Sequence, residues 1–154
     1  MSALETDTIN ARGHPNIKAQ HKTTLEVTTE GYVTHRGDCI VAVAADKAAA
    51  DINPRLLAEL ALGYSLAIAL EAGGLIDVFF AQGAPGHTPS SKISIVIRRS
   101  TYLDDRTLAV HSTKAARDID RKLAAKLREP TPVTIRLATA PTRREALKAL
   151  TELL

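Results

Sequence analysis

The side chains best equipped for chemistry crowd the first third of the chain. Arg12, His14, Asn16, His21, Thr23 and Thr24 are followed by His35, Arg36, Asp38 and Cys39. Imidazole, carboxylate and thiolate groups bind transition metals and activate water, so His14, His21, Asp38 and Cys39 make one candidate set for a metal-assisted hydrolase. Their spacing opposes it. His14 and His21 stand seven apart in an extended segment, so without a turn at Pro15-Asn16 they face opposite ways, about 23 Å apart at strand rise. A hydrolytic set with Cys39 or Thr24 as nucleophile, His21 as base and Asp38 as orienting acid needs a convergence for which no strand-turn-helix signature is present.

The cations suggest a second chemistry. Residues 1–77 carry six Lys/Arg against ten Asp/Glu, net −4, whereas 78–154 carry 14 against seven, net +7. Arg36, Arg98, Arg99, Arg106 and Lys114, with the segment Arg12, His14, Asn16, His21 and Asp38, are the candidate ligand-binding residues, the guanidinium and ammonium groups meeting phosphate by bidentate and point-charge contacts. Aromatic residues are scarce (Tyr32, Tyr64, Tyr102, Phe79, Phe80), so contact with nucleic acid is expected through the backbone or the shape of structured RNA rather than by base stacking. The leading expectation is therefore a non-catalytic module for an anionic partner: RNA, a nucleotide or a ribonucleoprotein. A metal-assisted hydrolase is the alternative, and a homo-oligomer in which oppositely charged halves meet is a third. No cofactor is expected.

With 154 residues and 45% apolar content, the chain suffices for one domain spanning 1–154. It contains no apolar run approaching the roughly 20 residues that cross a bilayer, and its first residues lack a basic-then-apolar signal layout, which predicts a cytoplasmic protein without a membrane. A lone cysteine, Cys39, leaves stability to packing.

The elements that must position these groups are written twice. Offset by 67, Val41–Ala72 and Leu108–Thr139 share 12 of 32 residues, the signature of one supersecondary unit used twice. Lys22–Thr29 and Lys92–Arg99 read as first strands, and Cys39–Ala45 and Thr107–Ser112 as second strands, each pair a hairpin. Asp46 and Thr113 follow as candidate caps. Ala48, Ile52, Leu56 and Leu60, matched by Ala115, Ile119, Leu123 and Leu127, lay one apolar stripe along a helix. Pro54 suits the first position of a helix capped by Asn53; the second copy, lacking that proline, is read as continuous.

Strands return at Ser65–Ala72 and Val133–Thr139. An extra strand, Leu75–Ala81, follows a Gly73-Gly74 turn. Leu147, Leu150 and Leu154 predict one apolar face of a C-terminal helix over about 142–153. Lys47 and Asp51 recur as Lys114 and Asp118 in an order that adds little within a helix, so they are read as pinning the helix start to a strand, or as paired lysines facing one anion. The expected architecture is α+β: two ββαβ repeats, approximately 20–72 and 90–139, about a pseudo-twofold, forming a mostly antiparallel β-sandwich or barrel-like core with two or three helices.

Three stretches, RGHPNIKAQHKTT (Arg12–Thr24), HRGDCIVAVAADKAA (His35–Ala49) and DDRTLAVHSTKAARDID (Asp104–Asp120), resemble an archaeal family of uncharacterised proteins defined by a domain of unknown function. The resemblance spans nearly the whole chain and implies an archaeal cytoplasmic origin and a mostly β, sandwich-like fold with added helices. It implies no activity.

Overall fold

The computed structural model describes residues 4–154. In chain order the strands are β1 (Glu5–Arg12), β2 (Thr24–Thr28), β3 (Ile40–Ala42), β4 (Ser65–Ala72), β5 (Leu75–Gln82), β6 (Ser94–Arg98), β7 (Thr107–Ala109) and β8 (Pro132–Ala140). The helices are α1 (Pro54–Leu60), α2 (Arg121–Lys126) and α3 (Arg143–Thr151), with single 3-10 turns at Ala49–Asp51 and Ala116–Asp118. One sheet has the order β1-β8-β4-β5, the other β3-β2-β6-β7. Exchanging β1 with β5, β2 with β6, β3 with β7 and β4 with β8 turns each order into its own reverse. Isolated bridges from Arg12 to Val43 and from Gln82 to Val110 join the sheets along both edges. The result is the expected α+β architecture, two mostly antiparallel sheets around a sandwich-like core.

That interior is filled. Ile9, Leu25, Val27, Phe79, Ile97 and Leu137 are among the apolar side chains around a residual void of about 10 Å³, barely the volume one water needs and with no polar lining to hold it. The predicted stripes supply the rest. Ala48, Ile52, Leu56 and Leu60 are buried, as are Ala115, Ile119, Leu123 and Leu127, with α1 against β1 and β8 and α2 against β5 and β4.

Local signals are realised where they are local. Asn53 Oδ1 accepts from Arg55 N at 3.0 Å and starts α1 ahead of Pro54. Gly73 and Gly74 both take positive φ, 57° and 79°, the backbone a two-residue hairpin with right-handed strand twist requires. Gly13 and Gly83 answer a different need: a Cβ on Gly13 would stand 2.1 Å from Glu129 O, and one on Gly83 2.0 Å from Leu60 O. Each loop thus passes directly over the last turn of the other half's helix, and His14 N donates to Leu127 O at 2.9 Å.

Several expectations are corrected. The pairs read as hairpins, β2 with β3 and β6 with β7, run parallel. Connections of this length cross back over the sheet, and the antiparallel neighbour of β2 is β6 from the other half. Strand β1 was hidden because only Ile9 and Ala11 of Glu5–Arg12 are buried. The second helix is not continuous: Ile119 is extended and Asp120 caps α2 by accepting from Lys122 N and Leu123 N. Asp46 and Thr113 bind strand edges instead of helix starts, accepting from Asn10 N at 3.0 Å and Phe80 N at 3.1 Å. In α3, capped by Thr142 Oγ1 on Glu145 N, the buried face is Ala146, Ala149 and Leu150, while Leu147 and Leu154 are exposed. The sheet beneath offers Ala67, Ala69, Ala138 and Ala140, so small side chains let the helix approach closely.

Candidate anion-binding cleft

Most cations proposed as phosphate ligands are already engaged. Lys114 Nζ sits 2.8 Å from Asp77 Oδ1, and its counterpart Lys47 pairs with Asp7. The two lysines therefore face separate carboxylates and pin the chain ahead of each helix to β5 and β1; they do not face one anion. Asp77 also accepts from Asp120 N at 2.8 Å, as Asp7 does from Asn53 N. Asp51 and Asp118 close the 3-10 turns, accepting from Ala48 N and Ala115 N at 2.9 Å. Arg99 pairs with Asp118 at 3.1 Å. Arg12 reaches Pro130 O at 2.6 Å, away from these groups. Arg36 is exposed and makes no side-chain hydrogen bond or ion pair with a described residue.

Arg98 and Arg106 come together on Asp104, each with an Nη2 at 3.0 Å from Asp104 Oδ2. Arg98 Cζ lies over the face of the Tyr102 ring, 4.9 Å from its centroid, and Nε donates to Thr107 Oγ1. Burial pushes the Asp104 carboxyl up, but hydrogen bonds from Thr107 and Arg106 and the Arg106 charge overcome it and hold the pKa down to about 2. Arg106 also stands 3.6 Å from Glu26 Oε1, the atom to which the Cys39 thiol donates at 3.3 Å. Burial, then the Glu26 charge and this hydrogen bond, push Cys39 up to about 12. A thiol so held is neutral at physiological pH, a poor nucleophile and a poor metal ligand.

The histidines are held the same way. His21 Nδ1 accepts from Thr23 N at 3.2 Å and Thr24 N at 3.1 Å; at the equivalent point of the other half, Ser91 Oγ accepts from Ile93 N and Ser94 N. His14 Nδ1 accepts from Asn16 N, and Asn16 Nδ2 donates to Val33 O. These bonds leave the proton on Nε2 in both rings, the tautomer that cannot ligate through Nε2. Among the described residues no three His, Cys, Asp or Glu side chains form a group able to hold a metal ion. His21 instead presents an N–H donor.

His21 lines a surface cleft of about 400 Å³ together with Gln20, Lys22, Thr23 and Asp38. Asp38 O accepts from Gln20 N and His21 N, so the chain before β3 forms one wall. The second half is tied to this segment through its backbone: Arg117 N donates to His21 O at 3.0 Å and Arg99 N to Thr23 O at 2.8 Å. Arg121 Nη1 donates to Ala19 O and Nη2 to Lys18 O, at 3.0 and 3.3 Å. Lys18, Lys22 and Arg117 have no carboxylate at ion-pair distance among the described residues, so their charge is open to a ligand, whereas the Arg121 guanidinium is held by the Ala19, Lys18 and Arg117 carbonyls.

Of the sequence candidates, His21 and Asp38 share this cleft, while Arg98 and Arg106 meet in the adjoining network. Lys18, Lys22, Arg117 and Arg121 were missed. One signal was available: at the offset of 67, Arg117 and Arg121 stand where the first half has Ala50 and Pro54, basic residues present on one side only.

Residues 9–140 match the family described as a domain of unknown function, DUF371. Over 121 residues the chain is 36% identical to an uncharacterised protein of the archaeon Methanocaldococcus jannaschii, covering 79% of this chain and 90% of that protein.

Proposed function

The chain belongs to the DUF371 family, and from that premise we propose that it is a non-catalytic module binding a phosphate-bearing partner such as RNA, a nucleotide or a ribonucleoprotein. The observation that carries this reading is a cleft lined by Lys22 and His21, with Arg117 bonded through its backbone to His21 O and Lys18 close by in sequence, none of the three cations having a carboxylate partner among the described residues. Cations whose charge is not met within the protein are the ones that release counterions and gain affinity on meeting phosphate. In this reading the two halves derive from one duplicated unit, and the basic groups were added where the first half's loop meets the second half's helix.

The test is fluorescence anisotropy with an end-labelled single-stranded RNA, titrated from about 50 to 200 mM salt. Contact with about four phosphates gives a log–log salt slope of roughly −3, and replacing Lys22 and Arg117 by Gln makes it shallower by roughly 1 to 2. Affinity that does not change with salt, or that those replacements leave intact, refutes the reading.

A further inference from the structure

A second cleft of about 380 Å³ has Gln82, Pro85, Thr101, Leu103 and His111 in its walls. Backbone hydrogen bonds link it to the basic cleft. Arg99 N, bonded to Thr23 O, ties the segment after β6 to the rim of the basic cleft, and one residue on, Ser100 O accepts from His111 N at 3.3 Å. The second cleft has a different character. Pro85 and Leu103 are apolar, whereas the Gln82 amide and the His111 imidazole make no side-chain contact with a polar or charged group of the described residues.

The first half has no counterpart to these groups. Where Gln82 bridges to Val110, Arg12 bridges to Val43, and its guanidinium is spent on Pro130 O. Where His111 sits at φ 52°, Ala44 sits at φ 53°. The left-handed backbone is therefore a property of the fold in both halves, and what the second half adds is the imidazole.

We infer that this second cleft receives the base of a nucleotide whose phosphates lie in the basic cleft, so that the partner is an unpaired stretch of nucleic acid; this rests on the anion-binding reading above. A primary amide presents a donor and an acceptor side by side, the pattern found on base edges. Leu103 and Pro85 supply apolar surface for a ring face, and His111 a flat polar group. A duplex keeps its pairing edges occupied and its bases stacked, so it offers the basic cleft its phosphates but nothing to this one.

The test uses the full chain with three probes: a labelled single-stranded 12-nucleotide RNA, the corresponding duplex, and inorganic polyphosphate as a competitor without bases. The variant is Gln82→Ala combined with His111→Ala. Ala44 already holds alanine in the same backbone conformation, and an unchanged thermal melt checks folding. The expected result is preference for the single strand and about a tenfold loss of its affinity in the variant, with polyphosphate competition within twofold of wild type. Equal weakening of RNA and polyphosphate overturns the inference, as does unchanged RNA affinity. If the Gln82/His111 variant alters neither probe while Arg117→Gln weakens both, the base site fails and the anion-binding reading stands. Wild-type protein that binds neither probe at low salt ends both.

Discussion

Cys39 and Arg106 occupy equivalent points before β3 and β7, and both address one carboxylate oxygen, Glu26 Oε1, at 3.3 and 3.6 Å. The thiol is thereby buried beside an anion, and its pKa rises to about 12, against about 8.5 when unfolded. The folded state keeps this proton after the unfolded state has lost it. The resulting stabilisation is complete below the unfolded pKa and is lost as pH climbs from there toward 12. Equilibrium unfolding in urea, followed from pH 8 to 11, is expected to show falling stability that Cys39→Ala partly flattens. Iodoacetamide is expected to label the folded protein far more slowly than the urea-unfolded chain, and Glu26→Gln to speed labelling.

Asp104 behaves oppositely. Its carboxyl is held at about 2, below the ordinary 3.8, so its contribution is present above the unfolded value and disappears as pH falls from about 4 toward 2. Asp104→Ala leaves Arg98, whose side chain is 9% exposed, without its carboxylate, and is expected to cost about 3 kcal/mol at neutral pH. Denaturant midpoints for the variant and wild type should converge as the medium is acidified to pH 2; a constant gap down to that pH contradicts the assignment.

What could be read from the chain before its structure was what depends on neighbours in sequence. Asn53-Pro54 announces a helix start because cap and first turn are adjacent, and Gly73-Gly74 announces a turn because two positive φ angles are needed in succession. The stripe through Ile52, Leu56 and Leu60 gives the buried face correctly even though Ile52 precedes the helix. What depends on distant partners was hidden. β2 gives no sign that its antiparallel neighbour is β6, 70 positions on, and the charge on Arg98 gives no sign that Asp104 will claim it. The cleft was only half visible for the same reason: His21 and Asp38 stand out as chemical types, but Arg121 reaches Ala19 O from 102 residues away.

The matched ion pairs allow a comparison within one molecule. Asp77 accepts from Lys114 and from Asp120 N, and Asp7 from Lys47 and Asn53 N, so each carboxylate fixes both the lysine and the residue that caps the following helix. Removing the carboxylate strands a backbone N–H as well as a cation. Asp77→Ala and Asp7→Ala are each expected to cost about 3 kcal/mol, whereas Lys114→Met and Lys47→Met, which leave carboxylates 7% and 10% exposed that still accept from the backbone N–H, are expected to cost about 1 to 2 kcal/mol. Chemical denaturation of the four variants measures the order; a lysine change costlier than its aspartate partner would show that charge, and not the helix-capping backbone bond, dominates.

Asp38 supplies the sharpest discrimination between a binding face and a solvated one. Its backbone oxygen holds Gln20 N and His21 N; the residue lines the cleft with Lys22 and His21, and its carboxylate is bonded to no other described residue. Asp38→Asn keeps the backbone contacts and removes only a negative charge, so stability should move by less than about 0.5 kcal/mol. If phosphate enters the cleft, that lost repulsion strengthens RNA binding, by about threefold to tenfold at low ionic strength and less at high. Lys114→Gln removes a charge as well, but one already matched by Asp77, and should leave RNA affinity within twofold. Anisotropy titrations on both variants decide: Asp38→Asn without effect, or Lys114→Gln with the larger one, moves the anion away from this cleft.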